Sequence, residues 1–162
     1  MSFEQCLSIG LTPPKYQDLR GDQFPRVELE GNAGTVRVVA GEFADARGAA
    51  STFSPINAWD LKLNTDTSVE LKVPAGHTTV LVAQSGRLTV NGSSMTAVEL
   101  ALFERKGDSI QIQTETNSRV LILTGEPLGE PVVGQGPFVM NTREEIHKAI
   151  QDYQVGKMGQ LV

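Results

Sequence analysis

Hydrophobic and polar residues alternate along most of this chain in short segments, and this period of two predicts β-strands. In residues 68–73, for example, Val69, Leu71 and Val73 fall on one face, and the residues between them are charged. Such alternation is typical of strands that bury one face only. Segments of this texture, rich in Val, Leu, Ile and Thr, predict strands at residues 26–30, 35–40, 59–63, 68–73, 78–83, 87–91, 97–103, 109–114 and 119–124.

Turn-forming residues separate these segments. Asn91-Gly92 is typical of a two-residue hairpin, because both central positions of a type I′ turn need a positive φ. Strands this short and regularly spaced predict an all-β sandwich or barrel over residues 26–124, rather than alternating β-α units. Residues 1–25 contain Pro13-Pro14 and are interpreted as an extended arm. Residues 125–141 are interpreted as a connector.

The pattern changes to a helical period over residues 142–156. Thr142 and Glu145 have the spacing of a capping box, and Gly156 is the expected end of the helix. One stripe of this predicted helix is apolar and consists of Ile146, Ala149, Ile150 and Tyr153. We therefore expect the stripe to contact either the rest of this chain or a partner.

Composition narrows the class of protein. The 162 residues fit one domain, and the net charge of -5 argues against direct nucleic-acid binding, which needs clustered Lys and Arg. The sequence has no run of eighteen apolar residues and no signal-peptide pattern, so we expect no membrane association. The single cysteine, Cys6, cannot form an intramolecular disulfide and is interpreted as unreactive, which favours a cytoplasmic location.

Residues that could hold a metal ion are scarce. A catalytic metal centre in a barrel needs two or three histidines and a carboxylate on adjacent strands, whereas this sequence contains only His77 and His147. His147 lies off the apolar stripe and is interpreted as a solvated helix residue. His77 follows a glycine at a strand entrance, where a hydrogen-bonded turn residue is favoured over a metal ligand. We predict no metal, no cofactor and no catalytic residue, with His77 as the sole candidate ligand.

Two further groups of residues have alternative interpretations. Glu126 and Glu130 flank Pro127, and they are expected to be solvated or to cap nearby amides rather than to form a catalytic pair. The strand aromatics are expected to fill the core, the alternative being that they line a ligand cavity; they are Trp59, Phe53, Phe103 and Phe43.

The C-terminal third of the sequence resembles the pirin family of cupins. Residues 123–159 read LTGEPLGEPVVGQGPFVMNTREEIHKAIQDYQVGKMG, which is similar to the segment that closes the second barrel of that family. Residues 13–19 (PPKYQDL), 36–43 (VRVVAGEF) and 69–92 resemble its opening and middle strands. The resemblance covers almost the whole chain, and it implies a single cupin, a jelly-roll-like double-stranded β-helix, with one C-terminal helix.

The resemblance also implies where the family's metal lies. In two-barrel pirins the first barrel holds an iron-type site of three histidines and a glutamate, linked to quercetin dioxygenase activity in some members and to transcription-cofactor roles in others. This chain is similar to the second barrel and is expected to start where that barrel starts. At the corresponding motif it has His77, then Thr79 in place of a second histidine, and Gln84 near the glutamate position.

Three functions follow as hypotheses. The favoured one is a metal-free, non-enzymatic binding or regulatory module that acts through protein contacts or a small ligand in the barrel. A second is a pirin-type dioxygenase with its metal site completed in an oligomer, and a third is a structural partner of a separately encoded barrel. For the apolar stripe we predict a homodimer or a contact with another cupin domain.

Overall fold

The computed structural model describes residues 16–158, and these are mostly strands. They form β1 (Arg26–Leu29), β2 (Gly34–Ala40), β3 (Glu42–Phe43), β4 (Ala46–Arg47), β5 (Ile56–Leu63), β6 (Ser68–Lys72), β7 (Thr78–Ser85), β8 (Arg87–Val90), β9 (Ser93–Thr96), β10 (Glu99–Leu102), β11 (Ser109–Thr114), β12 (Ser118–Gly125), β13 (Val133–Gln135), β14 (Phe138–Met140) and α1 (Arg143–Gln154).

Two antiparallel sheets make up the β architecture. A six-stranded sheet has the order β1-β2-β5-β12-β7-β10, and a four-stranded sheet has the order β6-β11-β8-β9. Residues of both sheets share one hydrophobic core, as expected for a jelly-roll cupin. The all-β prediction is confirmed, and each predicted strand overlaps an observed one.

Short polar strands were missed by the pattern. In β9 only Met95 is buried, so this strand lacks the alternation that identifies the others. The hairpin before it was predicted correctly, because Asn91 and Gly92 have φ of 46° and 83° and join β8 to β9. The two-residue strands β3 and β4 are too short to carry a pattern at all.

The core is built in rows across three central strands of the six-stranded sheet. Ile122 on β12 is paired with Trp59 on β5 and with Leu81 on β7, and all three side chains are almost fully buried. This row has large apolar side chains throughout, so it stabilises the sheet by removing apolar surface from water. The neighbouring row toward the end of β12 is polar, which makes that end of the barrel chemically distinct.

The chain divides into two compact units, of which one comprises residues 17–127 and holds both sheets. The other includes residues 128–158, where α1 contacts the β13–β14 hairpin. The predicted connector therefore contains a hairpin. Thr142 and Glu145 form the predicted capping box: the Thr142 hydroxyl accepts from the Glu145 amide, and the Glu145 carboxylate accepts from the Thr142 amide.

The remaining sequence predictions concern the N-terminus and the membrane. Residues 1–15 of the predicted arm lie outside the described part of the chain, and residues 16–25 include a 3₁₀ turn at Gly21–Gln23. Among the described residues, no helix is both long and apolar enough to cross a membrane.

A close backbone approach at Gly41 holds one corner of the six-stranded sheet. Gly41 has φ of +71°, and a Cβ there would overlap the Asn57 side-chain oxygen and the Ile56 carbonyl oxygen. The next amide, that of Glu42, donates to Asn57 Oδ1 at 3.0 Å. Only glycine satisfies both the left-handed backbone and the missing space.

We predict that Gly41→Ala destabilises the barrel more than Gly92→Ala does. Both glycines have a positive φ, so backbone strain is matched, but nothing lies within 4 Å of a Cβ at Gly92. The overlap at Gly41 should add about 1–3 kcal/mol to the loss of unfolding free energy. Urea denaturation of both variants measures the difference, and equal losses would contradict the packing argument.

Candidate functional site

A polar row closes one end of the barrel interior. Thr124 on β12 is paired with Asn57 on β5 and with Thr79 on β7. Thr124 is 2% exposed and Thr79 is 3% exposed, so this end of the core buries hydroxyl groups where the next row buries aliphatic ones. Buried polar groups are stable only when hydrogen-bonded, so the row must be internally connected.

A directed chain of hydrogen bonds connects the row to His77. Asn57 Oδ1 accepts from the Glu42 amide, which turns the Asn57 amide nitrogen toward Thr124. Asn57 Nδ2 donates to Thr124 Oγ1 at 3.0 Å. Thr124 Oγ1 lies 3.3 Å from His77 Nδ1. The histidine predicted as a hydrogen-bonded turn residue is therefore fixed at one nitrogen by a buried hydroxyl.

His77 lines a cavity of about 260 Å³ at this end of the barrel. Apolar side chains form part of its wall, among them Val73, Phe103 and Ile110. The rest of the wall is polar or charged, and it includes Thr79, Asn91, Glu104, Arg105, Lys106 and Ser109. Arg105 Nε donates to Thr78 Oγ1 at 3.1 Å, which ties the β10–β11 loop to the start of β7.

A second, wider cavity of about 570 Å³ shares Val73 and Pro74 with the first. Trp59 lies in its wall, donates from Nε1 to the Glu42 carbonyl oxygen at 3.1 Å and meets Phe43 edge-on at 5.1 Å between ring centroids. These aromatics therefore both fill the core and line a cavity, as does Phe103. Phe53 is 49% exposed and does not belong to the core.

The ion pair in that second cavity does not have the character of a proton-transfer group. Lys72 Nζ donates to Glu70 Oε1 at 2.9 Å. The hydrogen bond from Lys72, and to a smaller extent one from Ser109, lowers the pKa of the Glu70 carboxyl. The hydrogen bond to Glu70 in turn raises the pKa of Lys72. Both shifts favour the charged forms and move the two pKa values away from neutral pH. A general acid or base that works at neutral pH needs a pKa shifted toward neutral pH instead.

The described residues do not fit a pirin-type metal site. Among residues 16–158, no three His, Cys, Asp or Glu side chains lie close enough together to hold a metal ion. Thr79 is on the inner face of β7, whereas Gln84 is exposed on the other face. His77 therefore stands without the partners that an imidazole-ligated metal requires.

Other candidates from the sequence are dispersed. His147 is exposed on α1, as predicted, and Cys6 lies outside the described residues. Glu130 Oε2 accepts from the side-chain nitrogen Asn141 Nδ2 at 2.6 Å, so this carboxylate is held by a side-chain hydrogen bond.

The predicted contact stripe of α1 is unevenly exposed. Ile146 and Ala149 are buried, Ile150 is half-buried, and Tyr153 is 65% exposed and meets Phe138 edge-on at 6.0 Å. Contact between this stripe and a partner stays a prediction.

The outer face of the six-stranded sheet carries an aliphatic surface that the sequence reasoning missed. Each of two valines on β7 is paired with one leucine on β10 and one on β12. Val82 lies between Leu100 and Leu121, and Val80 lies between Leu102 and Leu123. The six side chains that share this outer face are Val80, Val82, Leu100, Leu102, Leu121 and Leu123. Leu100 and Leu102 are 63% and 68% exposed. We call these six residues the outer aliphatic face.

A buried aspartate, Asp60, paired with two partly exposed arginines borders the outer aliphatic face. Arg37 Nη2 contacts Asp60 Oδ2 at 2.6 Å, and Arg119 Nη2 lies 3.6 Å from the same oxygen. Within the described part of the chain, Arg37 Nε and Asp60 Oδ1 are buried without a hydrogen-bond partner. Asp60 is paired with Leu121 on β12, so the charged and aliphatic parts of the face are continuous.

A signal for the outer aliphatic face exists in the sequence. Segments 97–103 and 119–124 have aliphatic residues on both faces rather than alternating with polar ones. A strand with two apolar faces indicates that both faces are covered. The His77 partners carried no such signal, because Thr124 and Asn57 look like ordinary strand residues.

Comparison with known proteins agrees with this architecture. The family described as "Pirin C-terminal cupin domain" matches residues 58–159. A Pseudomonas aeruginosa relative named "Putative quercetin 2,3-dioxygenase PA2418" is 39% identical over 147 residues, covering 91% of this chain and 51% of the relative. Human pirin is 31% identical over 154 residues, covering 92% of this chain and 52% of pirin.

A solved structure shows the same fold at higher identity. The crystal structure of a quercetin 2,3-dioxygenase from Acinetobacter baumannii superposes with a TM-score of 0.86 at 43% identity, covering 94% of this chain and 53% of that chain. This chain thus spans about half the length of the curated relatives it matches.

These relatives contradict the favoured functional hypothesis. A non-enzymatic module was predicted because His77 lacks fellow ligands, but several relatives that match over most of the chain, unlike human pirin, have quercetin 2,3-dioxygenase in their names. These names contradict the preference for a non-enzyme over an enzyme, which judged a whole activity from the residues of one barrel. The recognition from residues 123–159 is confirmed: the chain belongs to the pirin family, through the C-terminal cupin domain of that family.

Proposed function

We propose that this chain is the C-terminal cupin of a pirin-type oxygenase that acts on a flavonol such as quercetin. The observation that carries the proposal is the match to the Acinetobacter baumannii quercetin 2,3-dioxygenase, at 43% identity over 94% of this chain. At that identity the shared segment has the same fold and most of the same core, so a shared place in a two-cupin enzyme is the simplest inference. Fold alone would not carry it.

The metal chemistry of such an oxygenase would come from outside the described residues. Residues 16–158 contain no group of three potential ligands, so this barrel fits a supporting role beside a metal-bearing cupin. The half of each relative that this chain does not match has the length of a second such barrel.

The outer aliphatic face supports a contact with that second cupin. Contiguous exposed aliphatic side chains are uncommon on a monomer surface and mark interaction sites. An aliphatic face that extends over three adjacent strands, with a basic border at Arg37 and Arg119, suits another sheet better than a small ligand. The occupant we propose is the metal-bearing cupin of the relatives.

A fusion tests the proposed function. The half of the Pseudomonas aeruginosa relative that this chain does not match is joined to this chain, and the intact relative is the positive control. We expect the fusion to consume quercetin with uptake of oxygen, measured by the loss of flavonol absorption and by an oxygen electrode, whereas this chain alone does not. A folded, metal-loaded fusion without turnover, beside an active relative, would count against the proposal.

Leu100→Glu with Leu102→Glu tests the outer aliphatic face. In this chain alone the two exposed positions should change the unfolding free energy by only about 0.5 kcal/mol each, as surface substitutions do. In the fusion the same pair should cost about 2 kcal/mol or more, since buried leucines are worth that much and the new charges would be desolvated. Thermal and urea unfolding of both proteins give the comparison.

Gln151→Glu with Gln154→Glu, at two exposed positions of α1, is the matched control, because it also changes the net charge by two negative units. If Leu100→Glu with Leu102→Glu changes the unfolding free energy by the same small amount in the chain alone and in the fusion, the outer aliphatic face is not the contact with the second cupin. Light scattering adds one more outcome. If this chain forms a dimer, and Leu100→Glu with Leu102→Glu dissociates it, the occupant of the face is a second copy of the chain and not the metal-bearing cupin.

A further inference from the structure

The buried hydrogen-bond chain favours the neutral tautomer of His77 that carries its proton on Nε2. The Thr124 hydroxyl accepts from Asn57 Nδ2, and its own proton needs an acceptor because the side chain is 2% exposed. His77 Nδ1 is the acceptor within reach, at 3.3 Å. A neutral imidazole that accepts at Nδ1 has its proton on Nε2. His77 is therefore held as a donor.

This donor belongs to a cavity that holds other donors. His77 and the neighbouring Arg105 and Lys106 line the 260 Å³ cavity. None of the ion pairs found within residues 16–158 involves either of these cations, and Arg105 is positioned by its bond to Thr78. Glu104 is the one carboxylate among the lining residues and is exposed, as Arg105 and Lys106 are, so the rim of the cavity carries two cations and one anion beside the His77 donor. The cavity favours an anionic oxygen.

The size and the apolar wall define the rest of the ligand. Cavities for drug-sized molecules span roughly 300–1,000 Å³, so a cavity of about 260 Å³ suits a smaller molecule than a three-ring flavonol. Phe103, Val73 and Ile110 offer apolar contact to one flat ring. Thr79, which is 3% exposed, adds a buried hydroxyl at the base.

We infer that the cavity beside His77 binds a small aromatic acid, a single ring that carries a carboxylate or an acidic phenol. His77 Nε2 and Arg105 hold the anionic oxygen, and the ring lies against Phe103. This site lies beyond the proposed flavonol oxidation, and binding there requires neither turnover nor a second cupin. Its success or failure is therefore read separately from that of the oxygenase proposal.

Titration of the full chain with 4-hydroxybenzoate, followed by amide chemical shifts in ¹⁵N-labelled protein, tests the inference. We expect saturable shifts confined to residues 77–79 and 103–110, with a Kd of roughly 0.1–1 mM, as suits a ligand of about ten heavy atoms. Benzamide, which has the ring without the charge, should bind at least 5-fold more weakly.

Substitutions identify the groups responsible. His77→Ala and Arg105→Gln should each weaken binding at least 5-fold, and His77→Gln, which keeps an amide donor, should weaken it less than His77→Ala. Arg87→Gln removes an equal charge at an exposed position away from the cavity and should leave the Kd within 2-fold. The amide spectrum of each variant also reports whether the fold is intact.

Three results would overturn the inference: no saturable shift at 10 mM ligand, shifts that map away from the cavity, or equal binding by wild type and by folded His77→Ala. Equal binding of benzamide would overturn the anionic part, because the donors would then contribute nothing specific to charge.

Discussion

The register of β12 between β5 and β7 is the constraint on which the rest of the barrel depends. It pairs residues distant in the chain into rows, and each row has one chemical character: Trp59, Ile122 and Leu81 make an apolar row. A slip of one residue would bring Leu123 into the interior and Thr124 onto the outer face, since successive side chains point to opposite faces. The chain of hydrogen bonds from Asn57 through Thr124 to His77 would then be lost. Core stability and the polar barrel end are thus set by the same pairing.

The sequence predicted those parts of the fold that depend on residues close together in the chain. Alternation identified strands such as β6 and β11, Asn91-Gly92 gave a hairpin, and Thr142 with Glu145 gave the start of α1. Where the local signal is weak the prediction failed, as in β9 with its single buried residue and in the β13–β14 hairpin.

The candidate site could be predicted only in part, because its contacts are long-range. His77 is visible in the sequence as a histidine at a strand entrance, but its partner Thr124 is 47 residues away, and Asn57 is 67 residues from Thr124. The residues adjacent in sequence to Thr124 and Asn57 do not indicate a buried chain of hydrogen bonds. The outer aliphatic face likewise exists only once β7, β10 and β12 are adjacent.

The error about enzyme activity has a physical cause as well. Ligand counting correctly describes what residues in one barrel can coordinate, but an activity belongs to the whole assembly that surrounds the reacting atoms. A barrel that matches half of its relatives' length can be indispensable to chemistry that none of its own side chains performs. Sequence identity over most of the chain carried information that the inventory of histidines did not.

The position of β10 has a consequence for how the protein behaves at high concentration. Among residues 16–158 it is the edge strand of the six-stranded sheet, and its Leu100 and Leu102 are exposed. An edge with unpaired amides and aliphatic side chains is a template on which strands of other molecules can add. Glu99 is the only charge in β10 that opposes such addition. A partner that covered this edge would therefore also protect the chain from aggregation.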